Sequence, residues 1–246
     1  MRRFYLPPSA TKGDSLLLTD REAHHAAQVL RLQKGEEVTV LDGAGTRLVC
    51  DAVRVSRKEI ELSVRHRETI PRPSFELTLF QAIVKGKTME TIVEKATELG
   101  VSRVVPLLTE RVVSHLDSER IESKQAKWHL RAIESIKQCG SPWLPRIEAP
   151  AKLNDVLKTL PSFHLACVAS LRGGSHPRHW AQALKQFRTG CVWIGPEGDF
   201  TEAEMDAIEA TGAKPITLGP LVLRADTAAI VSLAIVRSEV DWAYLD

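Results

Sequence analysis

The sequence predicts an α/β domain with a parallel sheet, preceded by a small domain made mostly of β-strands. Two observations lead to this prediction. Apolar and polar residues alternate along much of residues 1–72, as they do in strands that bury one face. From residue 73 onward, short apolar runs alternate with segments of helical periodicity, which is typical of parallel strands joined by crossover helices.

The first part of the chain contains two segments of alternating pattern, "EEVTVLDGAGTRLVCDAVRVS" and "EIELSVRH". Asp42, Gly43 and Gly45 supply the residues that a hairpin turn requires. A short helix, "REAHHAAQVLRL", interrupts the strands. Pro71 and Pro73 then break the pattern and predict a linker. We therefore expect a small barrel or curled sheet over residues 1–72 and a second domain over residues 73–246.

The second part alternates strands with helices. A helix is expected over Thr88–Leu99, ended by Gly100, and a long one over Asp117–Cys139. A last helix, Ala225–Val236, is apolar nearly all round, as expected for a helix buried on several sides. The apolar strands expected between the helices are "LTLFQAIV", "RVVPLL", "FHLACVAS", "CVWIG" and "KPITLG".

Composition excludes several classes of protein. The 246 residues carry a net charge of only +2, so the whole chain gives no strong sign of a polyanionic partner. No apolar run approaches the roughly 20 residues of a membrane span, and the N-terminus lacks the apolar stretch of a signal peptide. We therefore expect a cytoplasmic protein. The four cysteines are far apart and are expected to be small buried apolar residues, and we predict no metal site.

Three glycine-containing loops follow predicted strands: Ser170–Ser175, Gly195–Phe200 and Gly219–Asp226. Since ligands of parallel α/β sheets bind at the carboxyl ends of the strands, these loops predict a binding site. Glycine and proline can also serve merely to turn the chain. In the loop "GPEGDF", Thr201 with Glu204 forms a capping box for the next helix, but this leaves Glu197 and Asp199 unexplained.

The same loop lacks the residues of known phosphate sites. Neither the G-x-x-x-x-G-K-[ST] nor the G-x-G-x-x-G motif is present. Glu197 and Asp199 would repel a triphosphate, although acids suit the N-terminus of a helix. S-adenosylmethionine, a sulfonium with an adenosine and no phosphate, would escape that repulsion. The acids alone are weak support for it, because acidic side chains beside a loop are usually only solvated.

Two C-terminal motifs, "IGPEGDFTEAE" and "LGPLVLRADTAAIVSLAIV", resemble the paired signature of the SPOUT methyltransferases. The chain is similar in particular to the family of ribosomal RNA small subunit methyltransferase E. That similarity extends to "RRFYLP", "HHAAQVLRLQKGEEVTVLDGAG" and "KGKTMETIVEKATELGVSRVVPLLTERVV". The resemblance implies methylation of N3 of a specific uridine in 16S rRNA, with S-adenosylmethionine as the methyl donor and the small ribosomal subunit as the setting.

The family resemblance also implies a fold that pattern alone does not reveal. It implies a C-terminal SPOUT domain with a deep trefoil knot, a PUA-like β-barrel that binds RNA, and a homodimer whose active site uses both subunits. Asp199 departs from the family, because many members have a second glycine there. The cofactor is expected to contact Ser170, Leu171, Gly195, Pro196, Glu197, Gly198, Leu218, Gly219, Leu221, Leu223 and Thr227.

The expected reaction identifies candidate catalytic residues. Uridine N3 carries a proton and is a poor nucleophile until that proton leaves, so positioning and a nearby cation should accelerate methyl transfer. Arg224, at a junction between a loop and a helix, is the first candidate for that cation, and Arg111 is the second. An ordinary surface charge is the alternative for each. No residue stands out as the general base.

Basic residues on two parts of the chain are candidates for RNA binding. One group lies on a single face of the long helix, although such a stripe is more often a solvated face. The candidates are Arg2, Arg3, Arg31, Arg120, Lys124, Lys127 and Arg131. Three alternatives remain: a SPOUT methyltransferase acting on another RNA, a non-catalytic RNA-binding module, and a hydrolase of nucleotide phosphates. The last predicts stabilisation by ATP or GTP.

Overall fold

The computed structural model describes residues 2–111, 118–176 and 188–243, with the side chains of residues 118–120 and 241–243 outside that description. The chain forms two compact units, Met1–Arg72 with Ile133–Leu144 and Pro73–Ala132 with Pro145–Asp246. The boundary after Arg72 falls within the proline segment that predicts a linker. Within the described ranges, no helix has the length and apolar content that crossing a membrane requires.

The first unit contains a five-stranded sheet in the order β1-β3-β4-β5-β2. Its strands are β1 (Arg3–Tyr5), β2 (Ser15–Thr19), β3 (Glu37–Leu41), β4 (Thr46–Val55) and β5 (Glu59–Thr69). β1 pairs parallel to β3, and the other pairs are antiparallel. The predicted alternation is confirmed: in β2, Leu16 and Leu18 are buried while Leu17 is exposed. The curled sheet thus encloses one apolar core.

The helix after β2 is not the regular α-helix that the sequence predicts. It begins as α1 (Asp20–His24) and continues as one π-helical turn, His25–Val29. Its inner face still presents small residues to the sheet, because Ala23 and Ala26 are fully buried in the core of the first unit. The helical periodicity therefore predicted a helix here and missed its wider turn.

The segment Ile133–Leu144 belongs to the first unit, which the sequence did not predict. Its Lys137 is buried, and Nζ lies 2.7 Å from Oε1 of Glu22. Its Trp143 packs on Gly45, where an added Cβ would lie 2.4 Å from the indole ring. Trp143 Nε1 also donates to the carbonyl oxygen of Pro71 at 3.1 Å. A buried ion pair and a close ring contact hold this segment, and both join residues distant in sequence.

The second unit is built on an all-parallel sheet in the order β12-β10-β11-β6-β7-β8, with β9 also pairing with β7. The prediction of a parallel α/β domain is confirmed. The pairing of these strands does not itself test the trefoil knot, which stays a prediction. The strands are β6 (Glu76–Ala82), β7 (Arg103–Leu108), β8 (Arg146–Ile147), β9 (Ala151–Lys152), β10 (Leu165–Ala169), β11 (Thr189–Ile194) and β12 (Lys214–Ile216).

Helices cover this sheet. They are α2 (Thr88–Glu98), α3 (Ser118–Cys139), α4 (Leu153–Lys158), α5 (Glu202–Glu209) and α6 (Ala225–Ala243). Trp193 of β11 stacks on Phe80 of β6, with ring centroids 3.9 Å apart, and shares a core with residues of α4 and α5. The neighbouring Val192 and Ile194 are also buried and, because side chains alternate along a strand, point to the opposite face. α6 contacts β11 and packs against α2.

The cysteines match their expected burial with one exception. Cys50, Cys167 and Cys191 are buried, and burial raises the pKa of the Cys50 thiol to about 11. Cys139 is exposed, contrary to expectation, because it is the last residue of α3. Its position at a helix end, rather than its residue type, determines its exposure.

Candidate functional site

The three glycine-containing loops meet at one edge of the second unit. The loops follow β10, β11 and β12, and these strands are neighbours in the sheet and parallel to one another. Their carboxyl ends therefore lie together, as predicted from the position of each loop after a strand. Gly174 lets one loop approach β12 closely, since an added Cβ would lie 2.5 Å from the carbonyl oxygen of Pro215.

The loops surround a cavity of about 340 Å³, which we call the first cavity. Nine of the eleven predicted cofactor-contacting residues line it: Ser170, Leu171, Gly195, Pro196, Glu197, Leu218, Gly219, Leu221 and Leu223. Gly198 and Thr227 do not line it. The lining residues that were not among the predicted cofactor contacts are Ala169, Gly173, Ile194, Asp199, Thr217, Pro220, Val222, Ala225 and Ala228. Most of these residues directly precede or follow a predicted residue in the sequence. That adjacency is the signal that could have identified them.

The first cavity combines apolar walls with acidic groups. No lysine or arginine is found among its lining residues in the described part of the chain, whereas Glu197 and Asp199 both line it. Leu221 and Val222 are about three-quarters exposed, at 75% and 77%. Exposed large apolar side chains beside a cavity are common at ligand-binding and interaction surfaces. The charges favour a cationic ligand and disfavour phosphate.

The loop "GPEGDF" is held in a tight conformation. Asp199 adopts φ 62°, the left-handed region that glycine and Asp tolerate best, which explains why a glycine would suit this position. Its Oδ1 accepts a hydrogen bond from the Phe200 amide at 2.8 Å. The predicted capping box is confirmed, since Thr201 and Glu204 each accept from the other's backbone N–H. The side chain of Asp199 thus stabilises the loop while it lines the cavity.

Arg111 connects the end of β7 to this loop. Its Nη1 donates to the carbonyl oxygens of Gly198 and Phe200, the latter at 3.4 Å. The neighbouring Glu110 amide donates to Oε1 of Glu204 at 2.8 Å. These bonds give Arg111 a positioning role in the loop. Its predicted catalytic role stays a prediction.

Arg224 lies between two residues that line the first cavity. Its neighbours Leu223 and Ala225 line the cavity, while Arg224 itself is exposed and is not part of the lining. Its carbonyl oxygen accepts from the Ala228 amide at 2.8 Å, so it begins α6. Within the ranges that the structure describes, its guanidinium forms no hydrogen bond or ion pair. The group is therefore free to contact a substrate beside the first cavity.

The predicted RNA-binding residues fall into different environments. Lys127 and Arg131 are ion-paired with Glu90, at 2.7 and 3.5 Å. Arg31 is exposed and Arg120 has its side chain outside the described residues. Lys124 is partly exposed.

Two of these candidates lie in the first unit. Arg2 is ion-paired with Glu36. Arg3 donates to the carbonyl oxygens of Lys137 and Gln138, at 3.1 and 2.7 Å, and so caps the end of α3. Several of the predicted cations thus already form ion pairs or hydrogen bonds within the protein. Among the residues described, no three His, Cys, Asp or Glu side chains gather in a group that could hold a metal ion.

Comparison with known proteins identifies two family models. Residues 71–237 match the RNA methyltransferase domain, and residues 18–65 match the RNA methyltransferase PUA domain. The first model covers more than half of the chain and contains all three loops of the first cavity. The second covers most of the curled sheet of the first unit.

Individual relatives agree with these models. The ribosomal RNA small subunit methyltransferase E of Aquifex aeolicus is 32% identical over 228 residues, which cover 92% of this chain and 96% of the relative. A structure from Legionella pneumophila, in complex with the bound cofactor SAM, is 30% identical with a TM-score of 0.88, covering 96% of both chains. The Neisseria gonorrhoeae ribosomal RNA small subunit methyltransferase E, bound to S-adenosyl methionine, is 26% identical with a TM-score of 0.86, covering 97% of both chains.

Proposed function

Because the chain belongs to the family of ribosomal RNA small subunit methyltransferase E, we propose that it methylates N3 of a specific uridine in 16S rRNA. The more general activity, S-adenosylmethionine-dependent methylation of RNA, follows from membership of the family. The observation that carries the proposal is the composition of the first cavity. Its three loops supply apolar walls and two carboxylates, and no lysine or arginine lines it in the described part of the chain. The relatives extend over nearly the whole chain, so both units take part.

The residues of the first cavity fit S-adenosylmethionine. Its adenosine requires apolar contact, which Leu218, Leu221 and Leu223 offer. Its sulfonium and ammonium groups carry positive charge, and Glu197 and Asp199 supply carboxylates at the same wall. When bound, the cofactor supplies a methyl group that the sulfonium has already activated. The protein then has to place the uridine in line with that group and help its N3 lose a proton.

Arg224 is the residue we assign to the developing uridine anion. A guanidinium carries a fixed positive charge and presents several N–H donors, so it can bond the carbonyl oxygens that share the negative charge once N3 loses its proton. The position of the exposed Arg224, between two residues that line the first cavity, supports this role. Arg111 contributes by holding the carbonyl groups of the "GPEGDF" loop, and a direct contact with the substrate remains its second proposed role.

We propose RNA binding for the first unit and for the basic face of α3. The match of residues 18–65 to an RNA methyltransferase PUA domain supports the assignment of the first unit. Phosphate contacts from exposed cations such as Arg31 position an RNA without reading its sequence. The target base itself must reach the methyl donor in a single-stranded or splayed state, because its N3 is paired inside a duplex.

We also propose a homodimer, in which α6 forms part of the interface. One face of α6 is buried within the unit, with Ala229, Leu233 and Val236 at most 1% exposed. Its other side still carries apolar residues, including Ile230 and Val231, that remain partly exposed. A second copy of the chain would cover this apolar side. The predicted cytoplasmic location accords with a ribosomal RNA substrate and stays a prediction.

Val231→Asp is expected to shift the protein from dimer to monomer, because a charge in an apolar interface is costly. Light scattering coupled to size-exclusion chromatography measures the mass of each variant, and circular dichroism checks that α-helical content is kept. Leu130→Asp is the matched control, since Leu130 is an exposed apolar residue on α3 with 45% exposure. A wild-type protein that elutes as a monomer across the accessible concentrations would contradict the proposal.

Cells without the gene are expected to lose N3-methyluridine from 16S rRNA completely, and a plasmid copy of the gene should restore it. Mass spectrometry of nucleosides from purified 16S rRNA measures the modification. The physical reason is that uridine N3 does not react without a catalyst that removes its proton. An unchanged amount of N3-methyluridine would overturn the assigned substrate, and loss of another methylated nucleoside would favour a related methyltransferase with a different target.

Ligand-induced thermal shifts separate the alternatives from different classes. S-adenosylmethionine should raise the melting temperature, because a ligand that binds only the folded state stabilises it. A hydrolase of nucleotide phosphates should respond instead to ATP or GTP. A non-catalytic RNA-binding module would respond to RNA alone, and no response to S-adenosylmethionine would contradict the proposed cofactor.

A further inference from the structure

A second cavity, also of about 340 Å³, lies beside the first at the same edge of the sheet. Its walls come from the residues that follow β6, from Arg111 after β7, and from α2 and α3. Glu197 lines both cavities. The reason lies in the strand order, since β11 is between β10 and β6, so the loop after β11 borders the loops on either side.

The second cavity is positively charged. Four cations line it, Lys85, Arg111, Lys124 and Lys127, against two carboxylates, Glu90 and Glu197. Glu90 is held by Lys127 and by Arg131, and the Lys127 ammonium keeps the pKa of that carboxyl below its ordinary value. Glu90 therefore stays ionised and neutralises the charge of Lys127. Arg111 likewise already has partners, because it donates hydrogen bonds to carbonyl groups of the "GPEGDF" loop.

Two ammonium groups of the second cavity remain without such partners. In the part of the chain described, neither Lys85 Nζ nor Lys124 Nζ forms an ion pair or a hydrogen bond. The Lys85 backbone amide lies 3.4 Å from Oε1 of Glu197, which places this lysine at the border of the two cavities. Two unpaired lysines that line one cavity from different elements, the segment after β6 and α3, provide a site for an anion with several oxygens, such as a phosphate.

The rest of the cavity is apolar. Ile83, Val84, Met89 and Trp128 line it, and each has at most 5% of its surface exposed. An apolar wall that includes an indole suits a nucleobase, and unpaired cations suit its phosphate. Single-stranded RNA is recognised by this combination of aromatic or apolar contact with positive charge.

We propose that the second cavity holds the acceptor nucleotide of the RNA, an inference that rests on the proposed function. Its phosphate lies between Lys85 and Lys124, and its base lies against the apolar wall that includes Trp128. Glu197 then faces the base from the side of the first cavity, where the N3–H of a uridine can donate to its carboxylate. This arrangement turns N3 toward the methyl donor, which is what an in-line transfer requires.

The test is the salt dependence of binding a short single-stranded oligouridylate, measured by fluorescence anisotropy. Removing two phosphate contacts with Lys85→Ala/Lys124→Ala should weaken binding at low salt by at least tenfold. It should also make the slope of log K against log salt shallower by about 0.7, since the two lysines hold one phosphate and each phosphate contacted on a single strand contributes about 0.7. S-adenosylmethionine affinity, measured by calorimetry, should stay unchanged, because neither lysine lines the first cavity.

Lys87→Ala/Lys152→Ala is the matched control, because it removes the same total charge from two exposed lysines that line neither cavity. Its slope should equal that of the wild type. Equal slopes for both double variants would overturn the inference.

Methyl transfer to unmethylated small ribosomal subunits separates this inference from the proposed function. If the wild type transfers methyl groups and the cavity variant keeps its KM for the subunits, only the inference fails. If the wild type transfers none, the proposed function fails, and the oligouridylate slopes still decide whether the cavity binds RNA.

Discussion

Arg224→Ala should reduce the rate of methyl transfer by about 10²–10³-fold, the range found when one donor to a developing oxyanion is removed. The variant should still bind S-adenosylmethionine, because Arg224 borders the first cavity without lining it. The measurement is single-turnover transfer of labelled methyl groups to small ribosomal subunits, with cofactor affinity determined in parallel. Its carbonyl oxygen, which accepts from Ala228, is retained in the variant, so α6 should begin unchanged.

Two further variants test whether the charge of Arg224 is responsible. Arg224→Lys keeps a cation but loses the planar arrangement of donors, so part of the rate should return. Arg172→Ala is the control at the same edge of the sheet. Arg172 is paired with Glu202 and Asp206 of α5 and does not line the first cavity, so its loss should change the rate by less than about twofold, as expected for exposed pairs. Near-normal turnover of Arg224→Ala would remove the proposed role.

Gly195→Ala should weaken S-adenosylmethionine binding by at least about tenfold, or about 1.4 kcal/mol. An added Cβ would lie 2.8 Å from Oδ1 of Asp199 and 3.0 Å from the amide nitrogen of Phe200. The second of these atoms belongs to the backbone, so the loop itself must shift. Because Gly195, Glu197 and Asp199 all line the first cavity, a shifted loop changes the wall that meets the ligand. Isothermal titration calorimetry measures the effect.

Gly198→Ala makes the same substitution three residues further along the same loop. There an added Cβ would meet only Cδ of Arg111, at 3.4 Å, an ordinary contact. Since Gly198 does not line the first cavity, its variant should bind the cofactor within about twofold of the wild type, a difference of less than about 0.5 kcal/mol. A large loss in Gly198→Ala, or none in Gly195→Ala, would show that the loop contacts the ligand differently.

Local patterns predicted much of the fold and of the candidate site. β7 covers the predicted "RVVPLL", and α2 ends one residue before the predicted Leu99. The alternation of apolar runs with helices also implied that the loops after β10, β11 and β12 would share an edge. The inference holds because parallel strands direct all their carboxyl ends to one side of a sheet. Gly198 and Thr227 lie within the predicted motifs yet do not line the cavity, since Gly198 is an exposed loop residue and Thr227 is an exposed residue in the first turn of α6.

Partners distant in sequence determined what the patterns missed. The basic stripe of α3 includes Lys127 and Arg131, but Glu90 of α2 lies against both, so these cations are already paired. The segment Ile133–Leu144 belongs to the first unit because of contacts such as that between Lys137 and Glu22. Neither pairing leaves a periodic signal along the chain.

The sequence by itself determined the parallel α/β domain, the curled sheet before it, the three glycine-containing loops and the family to which they belong. These features depend on short-range periodicity, turn residues and motifs, which are readable along the chain. Only the tertiary structure decided which loop residues line the first cavity, which cations stay unpaired, and that Glu197 borders a second cavity beside Lys85 and Lys124. Those features depend on strand order and on the partners that folding brings together.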